Sequence, residues 1–176
     1  MSLPTVIVLA SGRGERFAAS GGTVHKLQAL LGGKTVLQHT LDAVRASGLP
    51  LHLEAATHPG MGDSIAAAVR ATSHAAGWLI LPGDLPLIQS DTLHAVAAAL
   101  GSHEVVVPVY LGQRGHPVGF SAGCGPALMK LQGNQGAAPV VRAHSAIELI
   151  VNDVGCVTDI DTVEDLEAAA RLLRGA

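Results

Sequence analysis

The sequence predicts an α/β domain, a mostly parallel (mixed) sheet with helices on both faces. Two patterns carry this. Short, uninterrupted β-branched runs recur along the chain, as in strands buried on both faces, and helical stretches with their own start and stop signals separate them. Composition sets the scale. The 176 residues suit one domain, read as 1–176, able to bury roughly 70% of its unfolded surface without a disulfide or metal staple. With 48% hydrophobic and 14% charged residues, intrinsic disorder is excluded.

Taken in order, residues 5–10 (Thr-Val-Ile-Val-Leu-Ala) form the first buried strand and run into a glycine- and charge-rich segment, 11–17. Gly32-Gly33 is a turn, and a helix is expected over 35–46, ending before Gly48. Residues 51–55 are extended, and Asp63 is placed to cap a helix that continues through Arg70. Residues 78–81 make a third buried strand, broken by Pro82-Gly83-Asp84-Leu85-Pro86. Ser90 is the natural cap of a helix over 91–100. Residues 104–109 and 117–121 are extended, 127–131 and 138–143 short helices, and 147–151 and 156–160 extended. Thr162 to Asp165 has the capping-box pattern of a last helix reaching Leu173.

Composition also narrows the function. The aromatics are Phe17, Trp78, Tyr110 and Phe120, too few for stacking on single-stranded nucleic acid. A net charge of −3 without a basic run argues against duplex binding. No stretch of 18 apolar residues and no basic leader suggests membrane or export. Cys124 and Cys156 form no CxxC and fit a reducing compartment. A cytoplasmic protein with no nucleic-acid or membrane partner is expected.

Ligands of such sheets bind at the carboxyl ends of strands, and two strands here end in unusual chemistry. After Ala10, Gly12 and Gly14 let the backbone come close to a ligand and aim N–H groups at it. Arg16 and Lys26 add positive charge, a combination suited to a triphosphate. After Leu81, Asp84 is a lone carboxylate in a rigid Pro-Gly setting, well placed for Mg²⁺. Two rival patterns fail. A dinucleotide fingerprint needs a third glycine where Phe17 stands, and a P-loop ending in Gly33-Lys34-Thr35 needs a glycine at Gln28. Asp161 or Thr162 caps the last helix, which leaves Asp159 as the second metal ligand, with Asp153 as its rival. Among nine histidines, His39, His52, His74, His94 and His144 are expected to be scattered surface or helix residues. His116, beside Arg114 in a glycine-rich loop, is expected to grip an anionic acceptor. No nucleophile triad or elbow is present, so direct attack by a bound acceptor is expected.

Six segments occur in order that together resemble a known family: Leu9-Ala-Ser-Gly12-Arg-Gly14-Glu-Arg16, Lys26, Gly60-Met-Gly62-Asp-Ser64, Asp84-Leu-Pro86, Gly115-His116-Pro117 and 159–166. They look like the MocA-like nucleotidyltransferases, whose founding activity is molybdenum cofactor cytidylyl transfer; the MobA guanylyltransferases are close relatives. The resemblance implies a single, Rossmann-like nucleotidyltransferase domain that moves a nucleotidyl group from an NTP to an acceptor phosphate, releasing pyrophosphate. It implies nucleotide contacts from Leu9, Ala10, Ser11, Gly12, Arg13, Gly14, Gly62 and Ser64, and catalytic roles for Arg16, Lys26 and Asp84. Arg114 and His116 would face the acceptor, molybdopterin, and Asp84 with Asp159 would hold Mg²⁺. A molybdoenzyme is the expected recipient of the product. Arg16 and Lys26 stand ten residues apart, against five in the family, so Lys26 requires a bulged loop. Leu85 also stands where the cytidylyl enzymes typically carry Gln. The alternatives are the same chemistry on a sugar phosphate or phospholactate, and a nucleotide-binding protein without turnover.

Overall fold

The computed structural model describes residues 2–12 and 14–175. Its elements are β1 (Thr5–Leu9), α1 (Glu15–Ala19), β2 (Leu30–Leu31), β3 (Lys34–Thr35), α2 (Val36–Ser47), β4 (Leu51–Glu54), α3 (Met61–Ala71), β5 (Gly77–Pro82), α4 (Ser90–Ala99) and β6 (Val105–Tyr110), followed by β7 (Gln113–Arg114), β8 (Val118–Ser121), α5 (Gly125–Leu128), α6 (Ala138–Ala143), β9 (Ala146–Ile150) and α7 (Val163–Gly175). A seven-stranded sheet runs β4-β1-β5-β8-β6, with β7 and β9 both pairing β6. The β4–β1, β1–β5 and β6–β9 pairings are parallel, and β8 lies antiparallel between β5 and β6. This is the mostly parallel, mixed sheet that the strand pattern predicts.

Alternation along the buried strands divides the core into two layers. Val6, Val8, Leu79 and Leu81 face one way and pack on Leu41 and Val44 of α2 and Leu93 and Val96 of α4. Ile7, Leu9, Trp78 and Ile80 face the other way, toward Ile65 and Val69 of α3, Leu128 of α5 and Val140 of α6. All five residues of β1 are buried, and each large aliphatic side chain among them contributes about 1.5–3 kcal/mol. A third cluster joins Phe17, Leu27, Leu31 and Val36 to Ile160 and Ala169, so α7 is docked beside the first loop.

Local capping differs from the sequence expectation in several places. α2 begins as expected: Thr35 caps it, and its hydroxyl and the Gln38 side chain exchange bonds of 3.0 and 2.8 Å with the backbone. α3, however, starts at Met61 with Gly60 at its cap, because the Asp63 carboxylate instead accepts from the Gly133 amide at 3.1 Å. α4 includes Ser90 rather than being capped by it. Its first turn is held by Asp153 from far along the chain, whose Oδ2 accepts from Gln89 N at 3.0 Å and Thr92 Oγ1 at 2.6 Å. Residues 156–160 do not form a strand. Asp153 Oδ1 accepts from Gly155 N at 2.8 Å and winds Val154–Val157 into a 3₁₀ turn. The helix expected over 127–131 falls earlier, at Gly125–Leu128, with a proline in its first turn.

Candidate active site

Leu9 and Pro82 are neighbours at the carboxyl ends of β1 and β5. The Gly83 amide donates to the Leu9 carbonyl at 2.8 Å. A Cβ on Gly83 would stand 2.9 Å from that carbonyl and 3.0 Å from Leu37 Cδ1, so the two strand ends close because this residue has no side chain. Thr40 Oγ1 donates to the Gly83 carbonyl at 2.8 Å, and the Ile160 amide donates to the Asp84 carbonyl at 3.0 Å. The backbone carrying Asp84 is therefore tied to β1, α2 and the approach to α7.

The long interval between Arg16 and Lys26 is taken up by α1 and the turn after it. Buried Phe17 anchors that helix, and the detour brings Lys26 back to the strand ends. Lys26 Nζ lies 2.8 Å from Asp84 Oδ2 and 3.5 Å from Asp161 Oδ1, and Arg16 Nη1 lies 3.4 Å from Asp161 Oδ2. Burial alone would lower the Lys26 pKa, but the charge and hydrogen bond of Asp84, then those of Asp161, hold its ammonium above the ordinary value.

Asp161 is the principal addition to the predicted set. The sequence offers Asp161 or Thr162 as the cap of the last helix, and Thr162 takes that place: its Oγ1 accepts from Asp165 N at 3.1 Å, while Asp165 Oδ2 accepts from the amides of Asp161 and Thr162 at 2.9 and 3.0 Å. The Asp161 carboxylate is left to join Asp84 and Asp159, with one oxygen of each within 4.8 Å of the others. Burial, then the charges of Asp161 and Asp84, raise the Asp159 carboxyl above its usual range. Asp84 Oδ1 is buried with no hydrogen-bond partner. An orphaned carboxylate oxygen amid three converging acids is the donor chemistry of a hard divalent cation, and these residues fit one. Asp153, the rival ligand, is buried with both oxygens accepting hydrogen bonds.

Two clefts meet at this cluster. The larger, about 500 Å³, is lined by Leu9, Ser11, Gly12 and Gly14 on one side and by His58, Gly60, Met61, Ser64 and Asn134 on the other. The smaller, about 360 Å³, is lined by Gln113, Arg114, His116, Cys156 and Asp159. Arg16, Lys26, Asp84 and Asp161 belong to both. Ser11 and Ser64 hydroxyls lie 3.0 Å apart across the larger cleft. Ala10 and Gly62 stand behind its wall: the Ala10 amide donates to the Glu54 carbonyl, and the Gly62 amide to that of Gly133. Gly62 is needed there for contact, since a Cβ would meet the Gln132 carbonyl at 2.8 Å. Arg13 lies outside the described residues.

In the smaller cleft the His116 amide donates to the Cys156 carbonyl at 2.9 Å. Burial, opposed by the charge of Asp84, holds its imidazole below the usual histidine range. Arg114 is on the rim, its Nε donating to Glu148 Oε2 at 2.8 Å. His52 is not the scattered residue expected. With His58 it brackets Glu54, which is 9% exposed, each Nε2 lying 3.1 Å from one carboxylate oxygen. Burial works to raise the Glu54 pKa, but the hydrogen bonds from His58 and His52 outweigh it and hold the carboxyl low. The spacing His52-x-Glu54-x₃-His58 was the available signal for this group.

Residues 45–147 match the family described as MobA-like NTP transferase domain. The chain belongs to this family. Among relatives of this MobA-like protein, the purine catabolism protein PucB of Bacillus subtilis is 30% identical over 128 residues, covering 70% of this chain and 62% of PucB. A phosphoenolpyruvate guanylyltransferase of Mycobacterium leprae is 37% identical over 128 residues, covering 68% of this chain and 56% of its own. The MobA-like chain thus spans less than two thirds of these relatives' lengths. Its fold matches that of Rv0371c from Mycobacterium tuberculosis with a TM-score of 0.78 and 27% identity, over 97% of this chain and 99% of that one. Rv0371c has also been solved in complex with manganese (TM-score 0.77, 23% identity, 97% and 99% covered). Molybdopterin-guanine dinucleotide biosynthesis protein A of Archaeoglobus fulgidus shares the fold at 16% identity (TM-score 0.72, 98% and 100% covered).

Proposed function

We propose that this protein transfers a nucleotidyl group from an NTP to the phosphate of a small acceptor, releasing pyrophosphate. The favoured reaction is CMP transfer from CTP to molybdopterin. The observation that carries this reading is the junction of two clefts at Lys26, Asp84 and Asp161. One cleft has the glycine loop and cations suited to a triphosphate; the other offers a separate seat for an acceptor.

In this reading the triphosphate lies along Ser11, Gly12 and Gly14, and the base points toward His58, Met61 and Asn134. Arg16 and Lys26 turn from their carboxylate partners to the phosphate oxygens. Asp84, Asp159 and Asp161 would hold a divalent cation, Mg²⁺, which when bound offsets the charge that builds on the α-phosphate. An acceptor phosphate oxygen in the smaller cleft attacks the α-phosphorus, the bond to the bridging oxygen of the β-phosphate breaks, and pyrophosphate leaves with that electron pair. Catalysis is positioning plus charge stabilisation, without a covalent enzyme intermediate. Neutral His116 and the Arg114 side chain orient the acceptor. The manganese complex of Rv0371c supports the metal assignment, and the ordered motifs around Arg16, Asp84 and His116 support the acceptor class. A cytoplasmic location and a molybdoenzyme recipient go with this reaction.

A second reading, guanylyl transfer to a small phosphorylated acid, is favoured by the relative named phosphoenolpyruvate guanylyltransferase. Incubating the protein with Mg²⁺ and α-³²P-labelled CTP or GTP, each with molybdopterin or phosphoenolpyruvate, separates the two. Label from CTP in a molybdopterin adduct supports the favoured reaction, and label from GTP on phosphoenolpyruvate the second. NTP binding with no labelled adduct would point to a binding protein.

A further inference from the structure

The residue before Lys26 is bonded to the glycine loop. His25 has two ring nitrogens, and each meets a group with a fixed role. The Leu27 amide, 3.2 Å from Nδ1, only donates, so Nδ1 accepts. The Gly12 carbonyl, 2.5 Å from Nε2, only accepts, so Nε2 carries the proton. The two constraints independently select the same neutral tautomer.

We infer that His25, as the Nε2–H tautomer, is a positioning residue that straps the Gly12 carbonyl while capping the turn from which Lys26 reaches Asp84. The turn is Lys26–Gln28, with His25 as its cap. The inference rests on the reading of Ser11, Gly12 and Gly14 as the triphosphate seat. That loop needs such a strap. No atom lies within 4 Å of where a Gly12 Cβ would stand, so packing gives Gly12 little restraint, and at Gly14 (φ +68°) the atoms nearest a Cβ position are Lys26 Cγ at 3.5 Å and His25 Nε2 at 3.6 Å. A flexible loop loses affinity to the entropy of ordering it. One imidazole fixes both this loop and the backbone beside the lysine, so the donors and the cation keep a constant separation.

Two substitutions split the functions of the ring. Asn places an acceptor where Nδ1 stands and nothing where Nε2 stands, so His25→Asn keeps the cap and loses the strap. His25→Gln keeps an amide donor for Gly12 and loses the cap. The test is ¹⁵N imidazole NMR of the full chain, the His25 signals being assigned by their loss in His25→Asn, together with calorimetric binding of inorganic tripolyphosphate and Mg²⁺ to the three proteins. The expected spectrum is that of the Nε2–H tautomer. His25→Asn should bind about fivefold more weakly, the order of one hydrogen bond, with an unchanged melting temperature, and His25→Gln should stay within about twofold of wild type. An Nδ1–H tautomer, or wild-type affinity in His25→Asn, would overturn the inference. Wild-type protein that binds no tripolyphosphate would instead remove the nucleotide reading, and with it the role given to His25.

Discussion

Lys26 Nζ stands 2.8 Å from Asp84 Oδ2, with both side chains 14% exposed. The ammonium is the near counter-charge to a carboxylate whose other oxygen is buried without a partner. Removing it leaves Asp84, Asp159 and Asp161 facing one another. Lys26→Met should destabilise the metal-free protein by about 2 kcal/mol, because a partly buried charge loses its pair. Added Mg²⁺ should recover more melting temperature in this variant than in wild type, and turnover should fall by about a hundredfold or more. Thermal denaturation with and without Mg²⁺, and steady-state kinetics, check both.

Asp159 carries the opposite signature. Its carboxyl lies on an exposed residue but is raised by partial desolvation at the cluster and by the charges of Asp161 and Asp84. A folded pKa above the unfolded one means that ionisation costs stability, and the cost grows as pH rises through that interval and is complete above it. Asp159→Asn should therefore raise the melting temperature of the metal-free protein at neutral pH while weakening Mn²⁺ binding. Scanning calorimetry at neutral and mildly acidic pH, with a Mn²⁺ titration, tests the pair of effects. A less stable metal-free variant would contradict the electrostatic account.

Glu54 has its folded pKa lowered, the hydrogen bonds from His58 and His52 outweighing burial. Its contribution is present above the unfolded value, about 4.3, and is lost as pH falls through the folded one. The stability gap between wild type and Glu54→Gln should be full at neutral pH and close in the acid range. Denaturant titrations of both proteins across that range measure it.

Gly83→Ala places a Cβ 2.9 Å from the Leu9 carbonyl. The ends of β1 and β5 must part, at a cost of about 1–3 kcal/mol, and Asp84 moves relative to the glycine loop. The expected result is a lower melting temperature with a fall in kcat larger than the rise in KM for the NTP.

Much of the fold was readable because β1, β5 and β6 are buried on both faces, so hydrophobicity alone marks them. The glycine loop, Arg16 and Asp84 were readable because they follow strand ends. Asp161 was not, since it and Thr162 both stand at natural capping positions; Thr162 takes the cap, with Asp165 closing the box from three residues further on. The 3₁₀ turn at Val154–Val157 was hidden for a similar reason: the side chain of Asp153, not the propensity of Val and Cys, decides its backbone. Glu54 and His58 come together through the loop after β4, so their four-residue spacing, though visible in the sequence, does not by itself say that they meet.

The most direct test of nucleotidyl transfer at the Asp84 cluster is pyrophosphate release from each of the four NTPs with Mg²⁺ and molybdopterin, with Asp84→Ala run in parallel. The account predicts release with CTP by the wild type and none by the variant, whose fold is retained by circular dichroism. Equal release by Asp84→Ala, or no release by the wild type with any NTP, would contradict it.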